Sequence, residues 1–324
     1  MDEQWPIIGH DNVKKFLSGA LKAGRLHHAY LFLGPAKVGK MTVAKIFAQS
    51  ALCEHGEKGR PCGQCVSCKR FLQGNHPDIS ILSSEENTVG VELVRGLISD
   101  LSHSSLLGKA RIGIIDGAHK LTTEAQNALL KTLEEPKASK IIILISENCL
   151  LSTTASRVQT VKFYLAQGSA LMEFLRKEGL EHRRIQELVA LASGRPGIVL
   201  EFLRNGDKIK EYRDEAQKFL SLFGETKPFN VFAFDVLGKD LERARERWRE
   251  LSEIGTRVLR EMLLLKLGLG DQTVYLSEMP AEKILNYSPS KLAFLINHLQ
   301  TLRQQVRSNI DPRFALENFY LLIH

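Results

Sequence analysis

"AYLFLGPAKVGKMT", residues 29–42, decides how this chain is read. Five apolar residues run straight into a glycine loop, and the loop opens into "MTVAKIFAQSAL", which has helical spacing. That strand–loop–helix order is the setting that a phosphate-binding loop, G-x-x-x-x-G-K-[S/T], requires. Gly34, Gly39 and Lys40 meet the pattern, but Met41 stands where a hydroxyl residue would hold Mg²⁺. In such a loop the backbone N–H groups and the positive end of the following helix face the phosphates, with Lys40 over the outer ones. A thioether is a poor ligand for a hard cation that takes oxygens. Thr42 lies about a hundred degrees further round the helix, so it does not substitute.

A second motif, "RIGIIDGAH" at 111–119, is an apolar strand ending in an acid, Asp116. Hydrolytic proteins of this broad class usually place a water-activating glutamate next, where this chain has Gly117. Two separate catalytic functions are therefore missing, and ATP hydrolysis at this site is not expected. Nucleotide binding without hydrolysis stays open, as does retention of the loop only as a tight turn.

Outward from these motifs, "DISIL", "KIIILIS" and "QTVKF" read as strands, and "VELVRGLISDLS" and "TEAQNALLKTLEE" as helices. The alternation predicts a parallel sheet covered on both faces. Upstream, "DNVKKFLSGALKAGRL" puts Val13, Phe16, Leu17, Ala20 and Leu21 at helical spacing, with Asp11 as N-cap. Strands end near Phe163, and from Ala166 the pattern is wholly helical. "SALMEFLRKEG", "RRIQELVALAS" and "IVLEFLRNG" form a three-helix unit with "GRPG", 194–197, as a turn. A later helix over roughly 240–267 carries Leu241, Ala244, Trp248, Leu251, Val258 and Met262 on one face, a packing stripe. The expected organisation is a P-loop domain over 1–165, a three-helix domain over 166–207 and a helical domain over 208–324.

Four of the five cysteines fall within sixteen residues: Cys53, Cys62, Cys65 and Cys68, spaced C-x₈-C-x₂-C-x₂-C. In a reducing compartment that clustering favours metal over disulfides. Four thiolates with tight-turn residues between them suit a closed, structural Zn²⁺ site at 53–68; disulfides and an Fe–S cluster are the alternatives. His55 and His76 are possible substitute ligands, each more simply a surface loop residue, and Cys149 reads as a packed thiol.

A chain of 324 residues suits two or three cores, and 44% apolar with 25% charged residues is an ordinary globular composition. The net charge of +7 is compatible with a polyanionic partner but is weak evidence for one. The longest apolar runs are too short to span a bilayer, and "MDEQWPIIGHD" has no basic-then-apolar leader, so a cytoplasmic location is expected. "TTASRVQT" sets Arg157 at the end of the sheet region. Most single arginines are ordinary surface residues, but one on the rim of an NTPase domain can reach a neighbour's γ-phosphate.

"PIIGHDNVKKFLSGALKAGRLHHAYLFLGP", the four-cysteine insertion, "NALLKTLEEP", the "SR" of "ASRVQT" and "NIDPRFALENFYLLI" occur here in that order. Together they resemble the clamp-loader subunits of bacterial DNA polymerase III, which are AAA+ proteins, over nearly the whole chain. The resemblance implies an α/β AAA+ module followed by an all-α lid and an all-α collar. It also implies a pentameric ring with delta and gamma/tau subunits that loads the sliding clamp on primer-template DNA, with no membrane. The degenerate residues look like those of a stationary member, part of the polymerase III holoenzyme and not an ATPase by itself. Its Arg157 would serve an adjacent motor subunit in trans, Cys53, Cys62, Cys65 and Cys68 would bind zinc, and Gly34, Gly39, Lys40 and Asp116 would form a degenerate ATP/ADP site with Mg²⁺ not expected. Val158 departs from the cysteine that motor subunits carry there. Ser146 matches the sensor-1 region without its asparagine or threonine, and Arg195 falls where sensor 2 would lie. The other readings are a motor-type gamma/tau-like ATPase and a stand-alone zinc protein that binds nucleic acid directly.

Overall fold

The computed structural model describes residues 5–55, 59–83, 88–107, 109–135, 139–223, 233, 236–269, 286–307 and 310–323. It forms two compact units, one of residues 1–178 with 194–197 and the other of residues 179–193 with 198–324.

The first unit is built on five parallel strands: β1 (Ala29–Leu33), β2 (Ile79–Ser83), β3 (Arg111–Asp116), β4 (Lys140–Ser146) and β5 (Gln159–Lys162), in the order β2-β3-β4-β1-β5. Helices α1 (Asp11–Lys22), α2 (Lys40–Leu52), α3 (Val66–Leu72), α4 (Val91–Ser102), α5 (Thr123–Glu134) and the one-turn α6 (Ser152–Ala155) connect them. Strand residues alternate between two separate cores, as pleating requires. Tyr30, Phe32, Ile141, Ile143 and Ile145 pack with Leu17 of α1 and Phe47 of α2. Ala29, Leu31, Ile142 and Leu144 pack with Leu97 of α4 and Leu129 of α5. The central strands are buried on both faces, which is why "KIIILIS" reads as an unbroken apolar run.

From β1 the chain leaves for the far edge, returns through β3 and β4, and then passes over β1 to β5. In open parallel sheets a ligand crevice opens at the carboxyl ends of strands where the direction of winding reverses. The glycine loop lies there, at the end of β1.

Helix α7 (Gly168–Lys177) belongs to the first unit, which therefore runs past residue 165. Helices α8 (His182–Ala192), α9 (Pro196–Arg204), α10 (Asp207–Ser221), α11 (Leu241–Lys266), α12 (Pro289–Arg307) and α13 (Pro312–Ile323) follow. The second unit has one large core in which Trp248, Leu251, Val258 and Met262 of α11 meet Phe219, Leu295, Leu299 and Phe319. Among described residues no helix is long and apolar enough to cross a membrane.

Three local expectations change. Asp11 is the first helical residue rather than the cap; His10 precedes it in the left-handed conformation, and Asp11 pairs with Lys14 at 2.7 Å. Phe16 is exposed, because Val13, Leu17 and Leu21 already fill the buried face of α1. Leu241 is exposed too, since it opens α11 one turn outside the core.

Helices α10 and α11 approach closely at Gly255, where a Cβ would lie 2.2 Å from Cε2 of Phe219. That ring is buried and held between Phe223 and Phe319, so it has no room to retreat. Gly255→Ala should cost about 1–2 kcal/mol net, because overpacking costs ~1–3 kcal/mol and the gain in helix propensity returns only ~1 kcal/mol. Urea unfolding measures this; a midpoint at or above the wild type would contradict the close contact.

Candidate functional site

Four of the residues singled out by sequence gather at the carboxyl edge of the sheet. The Gly34 N–H donates to the Ser146 carbonyl at 3.1 Å, and the Phe163 N–H donates to the Leu33 carbonyl at 2.7 Å. A Cβ on Gly34 would stand 2.3 Å from the Phe163 carbonyl oxygen, so only glycine fits between β1 and the end of β5. Gly39, with φ 102°, turns the chain into α2. Lys40 is 6% exposed, and its ammonium donates to the carbonyls of Gly34 (2.6 Å) and Pro35 (2.5 Å). Burial lowers its pKa, the carboxylates of Glu147 and Asp116 oppose that shift, and Arg195 adds to it. Asp116 ends β3 in register with Ile145, one strand away from β1.

The two residues that broke the nucleotide pattern are fixed by their surroundings. Met41 packs against the apolar cluster that contains Val38, Val43 and Phe47. Gly117 has φ 77°, and a Cβ there would meet Lys120 Cδ at 3.2 Å. The left-handed backbone costs an L-residue roughly 1–2 kcal/mol, so a glutamate at 117 would be strained. Ser146 Oγ donates to the Asn148 carbonyl at 2.5 Å.

Residues distant in sequence fasten the loop. His10 Nε2 donates to the Val38 carbonyl at 2.9 Å, its ring 5.0 Å from that of Phe163; burial lowers its pKa and favours the neutral imidazole. The Gly197 N–H donates to the Lys37 carbonyl at 2.8 Å, and a Cβ on Gly197 would lie 2.8 Å from that same oxygen. The "GRPG" turn is thus seated on the phosphate loop and brings Arg195 close to Lys40. The sequence motifs did not disclose His10, Glu147 or Gly197 as parts of this site. Only the glycines of "GRPG" and the position of Glu147 just after a buried strand offered a signal.

The cysteines also converge. All four Sγ atoms lie within 4.8 Å of one another, with Cys62–Cys68 at 4.0 Å and Cys53–Cys65 at 3.9 Å. A disulfide needs ~2.05 Å, whereas Zn–S bonds of ~2.3 Å in a tetrahedron put sulfurs ~3.8 Å apart. Backbone N–H groups of His55, Cys62, Gln64, Cys65 and Cys68 donate to these sulfurs at 3.3–3.4 Å. The N–H groups of Cys65 and Gln64 hold the Cys62 thiol down to about 6, while burial pushes Cys68 up to about 12. Burial thus favours the neutral thiol at Cys68, and a cation at the centre would offset that; the spacing and the donor set fit Zn²⁺. His76 is not a ligand and not on the surface: it is buried, with Nε2 hydrogen-bonded to Ser67 Oγ at 2.9 Å. His55 is exposed. Cys149 is exposed as well, because it sits in the loop beyond β4 and not on the strand. The insertion is tied down by Trp5 Nε1, which donates to the Gly59 carbonyl at 3.0 Å, and by Lys109, which donates to the Cys53 carbonyl.

Arg157 is not part of the loop cluster. It precedes β5 at the amino edge of the sheet, in a recess of about 540 Å³ with His27, His28, Leu133, Glu134, Ser156, Val158 and Gln159. Its guanidinium donates to the Thr153 carbonyl at 2.7 Å and pairs with Glu134 at 2.7 Å. The five-residue strand β1 separates that edge from the glycine loop, a span of about 16 Å.

The family described as DNA polymerase III, delta subunit, matches residues 9–166. The chain is 26% identical to the DNA polymerase III subunit delta′ of Bacillus subtilis, covering 96% of this chain and 95% of that protein. It is 33% identical to the subunit tau/gamma of Haemophilus influenzae over 62% of its own length, spanning 30% of that longer protein. A solved gamma subunit-related protein of Thermotoga maritima aligns over 97% of both chains at 16% identity, with a TM-score of 0.47, too low to add to the sheet order itself. Over residues 9–166 the chain is thus similar to clamp-loader subunits of bacterial DNA polymerase III, and its similarity to a delta′ subunit runs nearly end to end.

For the cysteine cluster, metal analysis of the purified chain is expected to find about one zinc per chain, lost in Cys65→Ser. A metal-free chain that keeps its thermal stability would refute the site.

Proposed function

We propose that this chain is a non-hydrolysing subunit of the clamp loader, acting through assembly and through Arg157 on ATP held by a neighbouring subunit. The observation that carries the reading is the separation of Arg157 from its own phosphate loop. An arginine at the amino edge of the sheet, across the length of β1 from Lys40, is badly placed for nucleotide in its own chain. It is well placed for one presented from outside. Such a finger offers its fork of N–H groups to charge that develops on the transferred phosphoryl group.

The chain's own site supports the same division of labour. Met41 offers no oxygen to Mg²⁺ and Gly117 offers no base. The cradle of Gly34, Gly39, Lys40 and Asp116 could still receive ADP or ATP, but phosphate would have to draw the Lys40 ammonium off two carbonyls. On this reading residues 1–165 are the AAA+ domain, 166–207 the lid and 208–324 the collar that joins the ring. Cys53, Cys62, Cys65 and Cys68 hold one structural zinc. The partners are the delta and gamma/tau subunits, and through the complex the sliding clamp and primed DNA.

Arg157→Ala should leave folding and assembly intact and cut DNA-stimulated ATP turnover of the reconstituted complex by about tenfold. That is below the ~10³–10⁵ an arginine finger supplies at one site, because other sites of the ring keep theirs. Unchanged turnover in a fully assembled complex would discard the role in trans.

A further inference from the structure

Glu134 is the last residue of α5, and Glu135 follows it. Carboxylates are disfavoured at a helix C-terminus, where the unsatisfied carbonyls already concentrate negative charge. Glu134 nonetheless stands there, and its Oε1 lies 2.7 Å from Nη2 of Arg157. The other arm of the guanidinium, Nη1, is held by the Thr153 carbonyl at 2.7 Å and by Ser156 Oγ at 3.2 Å. Both donor arms of the arginine are thus engaged within its own subunit. The recess in front of them is lined by the acid as well as by the arginine, so a phosphate entering it meets a carboxylate of its own sign.

We infer that Glu134 is a latch on Arg157: it holds the guanidinium in a self-bound arrangement that a neighbour's triphosphate must displace. This rests on the trans role proposed for Arg157 and adds the regulation of that role. The pair is half exposed, 36% and 48% for the two side chains, so the latch is weak. A triphosphate carries several charges and accepts a bidentate fork, so it outcompetes a single exposed carboxylate. Glu134 keeps the finger engaged at home until a correctly seated neighbour offers more, and acts on the reaction only through Arg157. It is a positioning residue, not a catalytic one.

The test uses the reconstituted complex, with ATP turnover measured with and without primed DNA for Glu134→Gln, Arg157→Ala and the double variant. Glu134→Gln should raise kcat about two- to fivefold, the range that an exposed ion pair supplies, most visibly without DNA. Glu134→Ala, which also removes the neutral hydrogen bond, should raise it at least as far. In the Arg157→Ala background the Glu134 substitution should change nothing, which a merely structural effect on α5 would not produce. If Arg157→Ala lowers turnover while both Glu134 variants leave kcat unchanged or reduce it, the latch is overturned and the finger stands. If Arg157→Ala changes nothing, the finger itself fails, and the latch with it.

Discussion

A buried ammonium must find acceptors, and Lys40 finds them in its own loop. Its bonds to the carbonyls of Gly34 and Pro35 draw the loop closed, and neighbouring contacts keep it so. Phe163 leaves no room for a side chain at residue 34, His10 holds Val38, and Gly197 holds Lys37. The strand β1, the helix α2 and the turn at 194–197 all meet at this one loop. The carboxylates of Glu147 and Asp116 near Lys40 oppose the lowering of its pKa that burial causes.

That arrangement explains why the two departures from an ATPase pattern are not equal to two point substitutions. Met41 is committed to the apolar cluster beneath the loop, and Gly117 to a backbone conformation that a glutamate would strain. A glutamate at 117 means reshaping a turn, and a hydroxyl residue at 41 gives up part of an apolar contact. At the opposite edge Arg157 lies just before β5, with a hydrogen bond to the Thr153 carbonyl and an acidic partner in Glu134. The proposed role, a subunit serving its neighbour, draws on both ends of β1: Met41 and Gly117 at the loop edge and Arg157 at the other.

Much of this was legible in the residues, and the limits have physical causes. The alternating apolar strands and amphipathic helices disclosed the doubly covered sheet, because burial on both faces leaves a local signature. The cysteine spacing disclosed a cluster whose sulfurs meet at metal distances, because CxxC turns are short-range. Asp11 misled, since a left-handed residue at His10 carries no mark beyond the glycine before it. Cys149 misled because the end of a buried strand and the loop beyond it differ by only three residues. The clasp of Gly197 on Lys37 and the pairing of Glu134 with Arg157 join residues 160 and 23 positions apart. Pairings at that range follow from the packed sheet and not from any periodicity.

The central claim is that this chain's own phosphate loop does no catalytic work for the complex. Substituting Lys40→Ala in this chain alone, with every other subunit wild type, tests it most directly. With assembly verified by size-exclusion chromatography, DNA-stimulated ATP turnover should match that of the wild-type complex. A loss of turnover in a fully assembled complex would mean that this loop is a working ATPase site, and would contradict the account.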